Sequence, residues 1–143
     1  MHDPLLGLLR RDDQFGWYQS DLRSVRLFGG RGGRFVLNAY GSDDVESADI
    51  RQAVQNALDA GPEVLAAAEP YVVHYCEEML VRYPKKFRPD VHLAKPNDVW
   101  SYVHFGSFLH VSRRADGDTE DGVYVSIECS CDWEPEHGMQ IVL

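Results

Sequence analysis

Residues 123–143, VYVSIECSCDWEPEHGMQIVL, decide the fold. From Val123 to Trp133, one parity carries Val123, Val125, Ile127, Cys129, Cys131 and Trp133, and the other Tyr124, Ser126, Glu128, Ser130 and Asp132. Strict period-two alternation predicts a strand with one buried and one wet face. Glu134-Pro135-Glu136-His137-Gly138 then predicts a turn, since proline fixes φ near its start and glycine accepts a positive φ near its end. Met139 to Leu143 is expected to return as a strand. The hairpin so predicted carries Trp133, Glu134, Glu136 and His137 at its tip.

Upstream of this hairpin, 115–122 (ADGDTEDG) reads as an acidic loop and Gly106 to Arg113 as a strand. A short helix through Val99, Trp100, Tyr102 and Val103 is expected, capped by Asn97 or Asp98. Residues 85–97 form a basic, proline-containing connection. Two helices are predicted before it. Ala48, Ile50, Ala53, Val54, Ala57 and Leu58 recur near a 3.6 spacing behind Ser47 as a cap, until Gly61-Pro62 stops the run. The second helix has an apolar stripe from Val64 to Tyr83, and Pro70 should kink or split it because it removes an amide donor. At the N-terminus, Leu5 to Leu9 suggests a helical turn or a packed arm. Phe15 to Tyr18, Val25 with Leu27, and Arg34 to Tyr40 suggest a β-meander with a turn at Gly29-Gly30-Arg31-Gly32-Gly33. The order β-β-α-α-β-β-β implies an α+β fold, with the helix pair packed on one face of a largely antiparallel sheet, in a single domain over 1–143.

Composition narrows the function classes. Apolar residues make up 44% and charged residues 26%, as in ordinary soluble domains. The longest apolar run is far short of the ~20 residues a membrane helix needs, and the N-terminus has no secretory pattern, so a cytoplasmic protein is expected. Three Cys is an odd number, and a chain of 143 residues needs no disulfide, so free thiols are expected. The net charge of −9 is unevenly placed. Residues 1–40 carry +2, 41–80 carry −8, 81–114 carry +5 and 115–143 carry −8. Two quarters this acidic repel a phosphate backbone, which argues against nucleic acid and leaves room for a basic protein partner.

Four groups of residues have the makings of chemistry. Cys129 and Cys131 point the same way on a strand with His137 nearby, but their spacing is not a usual zinc pattern, and their parity places them in the core. Glu134, Glu136 and His137 pair carboxylates with an imidazole, the material of acid–base catalysis, or else they serve to cap the turn. Asp116 to Gly122, with Asp118, Glu120 and Asp121, suggests a calcium loop by spacing but lacks the twelve-residue pattern, and reads as a solvated loop. Trp17, Tyr18, Trp100 and Tyr102 either line a ligand pocket or belong to the core. Arg23, Arg26, Arg31 and Arg34 beside the glycine turn form a single element, and a solvated hairpin is the expected reading.

The order Trp133-x-x-Glu136-His137-Gly138, after a helix pair whose second member is tyrosine-rich, resembles an uncharacterised bacterial domain family that ends in this motif. Phe15-Gly16-Trp17-Tyr18 and the Tyr71 to Tyr83 helix fit the same outline. That family is similar to the immunity-type proteins of polymorphic toxin loci, small acidic proteins without enzymatic signatures. The resemblance carries no catalytic residues over to this chain, and no cofactor is expected. The expected function is a non-enzymatic, acidic protein-binding domain that meets a basic toxin. Glu134, Glu136, His137, Asp118, Glu120 and Asp121 are its candidate binding residues. The alternatives are a small metal-dependent or acid–base enzyme using His137 and Glu136 with Cys129 and Cys131, and a ligand-sensing domain with an aromatic pocket.

Overall fold

The structure is a computed structural model that describes residues 2–38, 47–113 and 122–143. Eight strands form one sheet: β1 (His2–Asp3), β2 (Gly7–Arg11), β3 (Tyr18–Ser20), β4 (Arg23–Ser24), β5 (Gly32–Asn38), β6 (Val103–Ser112), β7 (Tyr124–Cys131) and β8 (Glu134–Val142). Helices α1 (Ala48–Asp59) and α2 (Leu65–Arg82) lie between β5 and β6. The sheet order is β1-β2-β3-β5-β6-β7-β8, with β4 paired to β5 beside that path. Every pair is antiparallel except β5 with β6. The connection between those two passes through both helices, the kind of crossover that parallel neighbours require. The fold is therefore the expected α+β type with a largely antiparallel sheet.

The inner face follows from parity. Phe35 and Leu37 on β5, Leu109 and Val111 on β6, and Val125, Ile127, Cys129 and Cys131 on β7 are all buried. Ile50, Val54 and Ala57 of α1, with Leu65, Val72 and Cys76 of α2, join them in one core. Each large aliphatic side chain moved out of water there stabilises the fold by about 1.5–3 kcal/mol before entropy is counted. The opposite face is largely open. Glu128 and Ser130 are exposed and His110 is half-buried there.

The chain departs from expectation in several places. Among the described residues five strands, not two, precede the helices. Leu5 to Leu9 is no helical turn: β1 and β2 pair as a hairpin, and the Asp3 carboxylate accepts the Leu5 and Leu6 amides across its tip at 2.8 and 3.0 Å. Val25 to Phe28 is not strand, because Arg26–Phe28 closes a 3-10 turn that ends on left-handed Gly29. Pro70 does not split α2, which runs unbroken from Leu65. Its ring lies in the second turn, where one missing donor leaves later bonds untouched. Asp98 is not an N-cap residue. It sits inside the 3-10 helix Pro96–Tyr102 and accepts the Ala94 and Lys95 amides. Ser47 does occupy the N-cap position of α1, but without a capping bond, and its hydroxyl accepts from Arg113 instead.

Candidate functional site

The largest correction falls on the C-terminal hairpin. β7 ends at Cys131 and β8 begins at Glu134, so the turn is Asp132-Trp133, and Glu134 to Gly138 belong to the returning strand. Cys129 pairs with Met139 and Cys131 with Glu134. Pro135, Glu136, His137 and Gly138 thus face Ser130 alone and form an enlarged bulge, a device that bends a strand and re-aims its side chains. Gly138 has φ +67°, and a Cβ there would collide with the Cys129 carbonyl oxygen. Only glycine meets both demands.

Packing fixes the bulge from beneath. Trp133 is fully buried, and the Tyr75 ring of α2 meets it edge-on at 6.0 Å. The Tyr75 hydroxyl donates to the Gly138 carbonyl at 3.0 Å, tying helix to bulge. Sequence reasoning placed Tyr75 in an apolar stripe, where the reach of its hydroxyl left no periodic signal. Glu134 points inward with its side chain 8% exposed, while Glu136 and His137 stand in solvent. The Glu134 Oε1 accepts the Glu136 amide at 3.2 Å, and His137 Nδ1 lies 3.5 Å from the same oxygen.

The three side chains therefore converge, with potential ligand atoms all within 4.8 Å of one another. They are the residues of this site suited to a divalent cation, offering two carboxylates and one imidazole. Among the described residues no Lys or Arg forms an ion pair with Glu134 or Glu136. The negative field reaches Tyr83, whose hydroxyl pKa is raised by burial, Glu134 and Glu136, and Tyr75, where burial leads and Cys131 and Glu134 add.

Cys129 and Cys131 do not join this cluster. Burial, reinforced by the neighbouring Cys131 and Glu128, pushes the Cys129 thiol up to about 12. Both thiols donate weakly to backbone carbonyls, Cys129 to Ile127 and Cys131 to Glu134. Thiolate chemistry needs the opposite environment. Asp118, Glu120 and Asp121, with the rest of the expected acidic loop, lie outside the described residues.

The remaining candidates separate. Trp100 donates to Glu69 at 3.0 Å, and the Tyr102 hydroxyl donates to the His92 carbonyl at 3.2 Å. Tyr18 packs against the core, while Trp17 stands 36% exposed on the open face. Of the two readings of this aromatic set, the core one holds for Tyr18, Trp100 and Tyr102, which pack against the core, and the four do not meet in one pocket. Each of Arg23, Arg26, Arg31 and Arg34 donates to a backbone carbonyl, those of Leu5, Asp59, Phe105 and Ser20 respectively. Also on the open face, His104 Nε2 and Asp132 Oδ1 lie 2.9 Å apart. His104 borders a groove of about 660 Å³ that includes Glu128, Ser130 and His137. His104 was invisible to sequence reasoning because Asp132 reaches it only through strand pairing.

Fold and site together define an α+β domain with a bulged, acidic C-terminal hairpin locked to a tyrosine-bearing helix. The chain belongs to the family described as a domain of unknown function, DUF6985, whose profile matches residues 5–143. No curated protein and no solved structure matches it. No helix among the described residues is long and apolar enough to cross a membrane.

Proposed function

We propose that this chain is a non-enzymatic protein-binding domain of the immunity type found at bacterial toxin loci, using its acidic hairpin to engage a basic partner. One observation carries the reading: Glu134 and Glu136 converge at a rigid bulge with no Lys or Arg ion partner among the described residues. A carboxylate pair held this way is complementary to an arriving cationic side chain, which speeds encounter and selects among partners. The Trp133-x-x-Glu136-His137-Gly138 order adds the resemblance to immunity proteins. Co-expression with a candidate basic toxin from the neighbouring genes tests it. Growth should be rescued by the native chain and lost with the paired change Glu134→Gln and Glu136→Gln, while the melting temperature holds. Equal protection by the double variant sinks the proposal.

The same convergence supports a second reading, a divalent cation held by Glu134, Glu136 and His137. Titration calorimetry with zinc and manganese decides it. Saturable binding that disappears in His137→Ala supports the metal, and heats no larger than those of dilution remove it. Cys129 and Cys131 have no part in either reading.

A further inference from the structure

The two helices cover one face of the sheet, and on the other an aromatic group stands in solvent. Phe15 is 56% exposed and Phe108 42%. Phe15 and Trp17 stack at 4.8 Å with 23° between their planes. Trp17 meets His110 at 6.4 Å and 85°, and Phe108 meets His110 at 6.3 Å and 41°. These rings, with Asp12, Gln19 and the buried Val36, line a half-open recess of about 210 Å³. Aromatic walls with a few convergent polar groups are the usual make-up of a small-molecule site.

The polar groups remain unspent. One oxygen of Asp12 accepts the Gln14 and Phe15 amides, which holds the turn that presents Phe15. Its other oxygen, the Gln19 amide and the His110 ring nitrogens make no hydrogen bond among the described residues. Among the described residues no Lys or Arg lines the recess. Arg10 and Arg34 are engaged elsewhere, with Asp21 and with the Ser20 carbonyl. Electron-rich ring faces beside a carboxylate attract a cation.

We propose that this recess binds a small organic cation, an alkylated ammonium or guanidinium head group, with Trp17 and Phe108 as walls and Asp12 as counter-charge. The site lies apart from the acidic hairpin and does not depend on the immunity reading. Such a head group arrives either on a free small molecule or on an exposed side chain of a polypeptide.

Backbone amide shifts followed by NMR test the proposal. The full chain is titrated with choline chloride for the free cation and with N-acetyl-arginine amide for the side chain, against potassium chloride at matched ionic strength. Saturable shifts at Trp17, Gln19 and His110 with either probe support the site, and the tighter probe names the source. Trp17→Ala is expected to weaken binding about tenfold and Trp17→Phe less. Asp12→Asn retains an acceptor for the turn amides and should weaken it about threefold. The amide spectrum of each variant reports whether it is folded. Linear shifts equal to those with potassium chloride overturn the proposal. So does tighter binding of glucose or adenosine monophosphate at the same amides, or binding unchanged in folded Asp12→Asn and Trp17→Phe.

Discussion

Trp133 anchors the hairpin at the residue scale, fully buried and with its indole nitrogen lacking a partner among the described residues. A buried donor without an acceptor offsets part of what its ring contributes. Trp133→Ala should therefore lower the unfolding free energy by about 3–5 kcal/mol. Trp133→Phe, which keeps an aromatic ring against Tyr75 and removes the orphaned N–H, should cost under about 1.5 kcal/mol. Urea denaturation measures both, and equal losses would show that the indole nitrogen carries more than the structure assigns it. The thiols permit a second prediction. Burial raises Cys76 to about 11 and Cys129 to about 12 from an ordinary 9.0. With the folded values raised, the neutral thiols' contribution is full below pH 9 and is lost as pH rises toward 12, since only the unfolded chain ionises there readily. Melting temperature should fall across that window, and Cys129→Ala together with Cys76→Ala should flatten the slope. Parity alone had assigned Cys129 and Cys131 to the core, because side-chain direction along a strand follows from backbone geometry and needs no tertiary knowledge.

Elements were legible where periodicity was long and unbroken, as in α1, α2 and β7, whose apolar positions repeat over whole turns or pleats. The hairpin turn was misread for a physical reason. Pro135 and Gly138 are turn formers, yet the ladder from Cys131 to Glu134 closes the strands in two residues and pushes both into a bulge. A glycine required by close backbone approach looks the same in sequence as one required by a turn. The short N-terminal strands were hidden because two residues, His2 and Asp3, cannot display an alternation. Gly138 supplies the element-scale prediction. Gly138→Ala must hold a left-handed φ of +67° against the Cys129 carbonyl, and should destabilise by about 2 kcal/mol or more. It should also displace Glu136 and His137, so partner protection should drop along with melting temperature. Pro70 makes the opposite case. Pro70→Ala restores a helix amide in α2, with a gain of about 1 kcal/mol after the looser unfolded chain is counted. A loss on this substitution would show that the proline shapes the packing of the second turn.

At the scale of the whole molecule, charge is more consequential than any single pair. The chain carries −9, and its ion pairs among the described residues sit at the surface, as in Arg10 with Asp21, Arg113 with Asp49 and Arg82 with Glu78. The Arg113 guanidinium and the Ser47 hydroxyl hold the Asp49 carboxyl well below the usual carboxylate range, but that group is exposed, and solvent screening limits what the contact contributes. Self-repulsion among unpaired carboxylates acts in the other direction over the whole surface and is also screened by salt. The two effects predict opposite responses. If repulsion dominates, raising sodium chloride from about 0.01 to about 0.5 M shortens the Debye length from about 30 Å to under about 5 Å and stabilises the fold. A gain on the order of 1 kcal/mol corresponds to about 3 °C in a chain of this size. Calorimetry in chloride, which avoids the surface-exclusion effect of sulfate, reads the sign directly. A rise in melting temperature is expected, because Glu63, Glu77, Glu128 and Glu136 form no ion pair among the described residues. A fall would place the surface pairs ahead of the repulsion. The unpaired carboxylates would then be too weakly coupled to steer a basic partner, and the proposed function would lose its electrostatic basis.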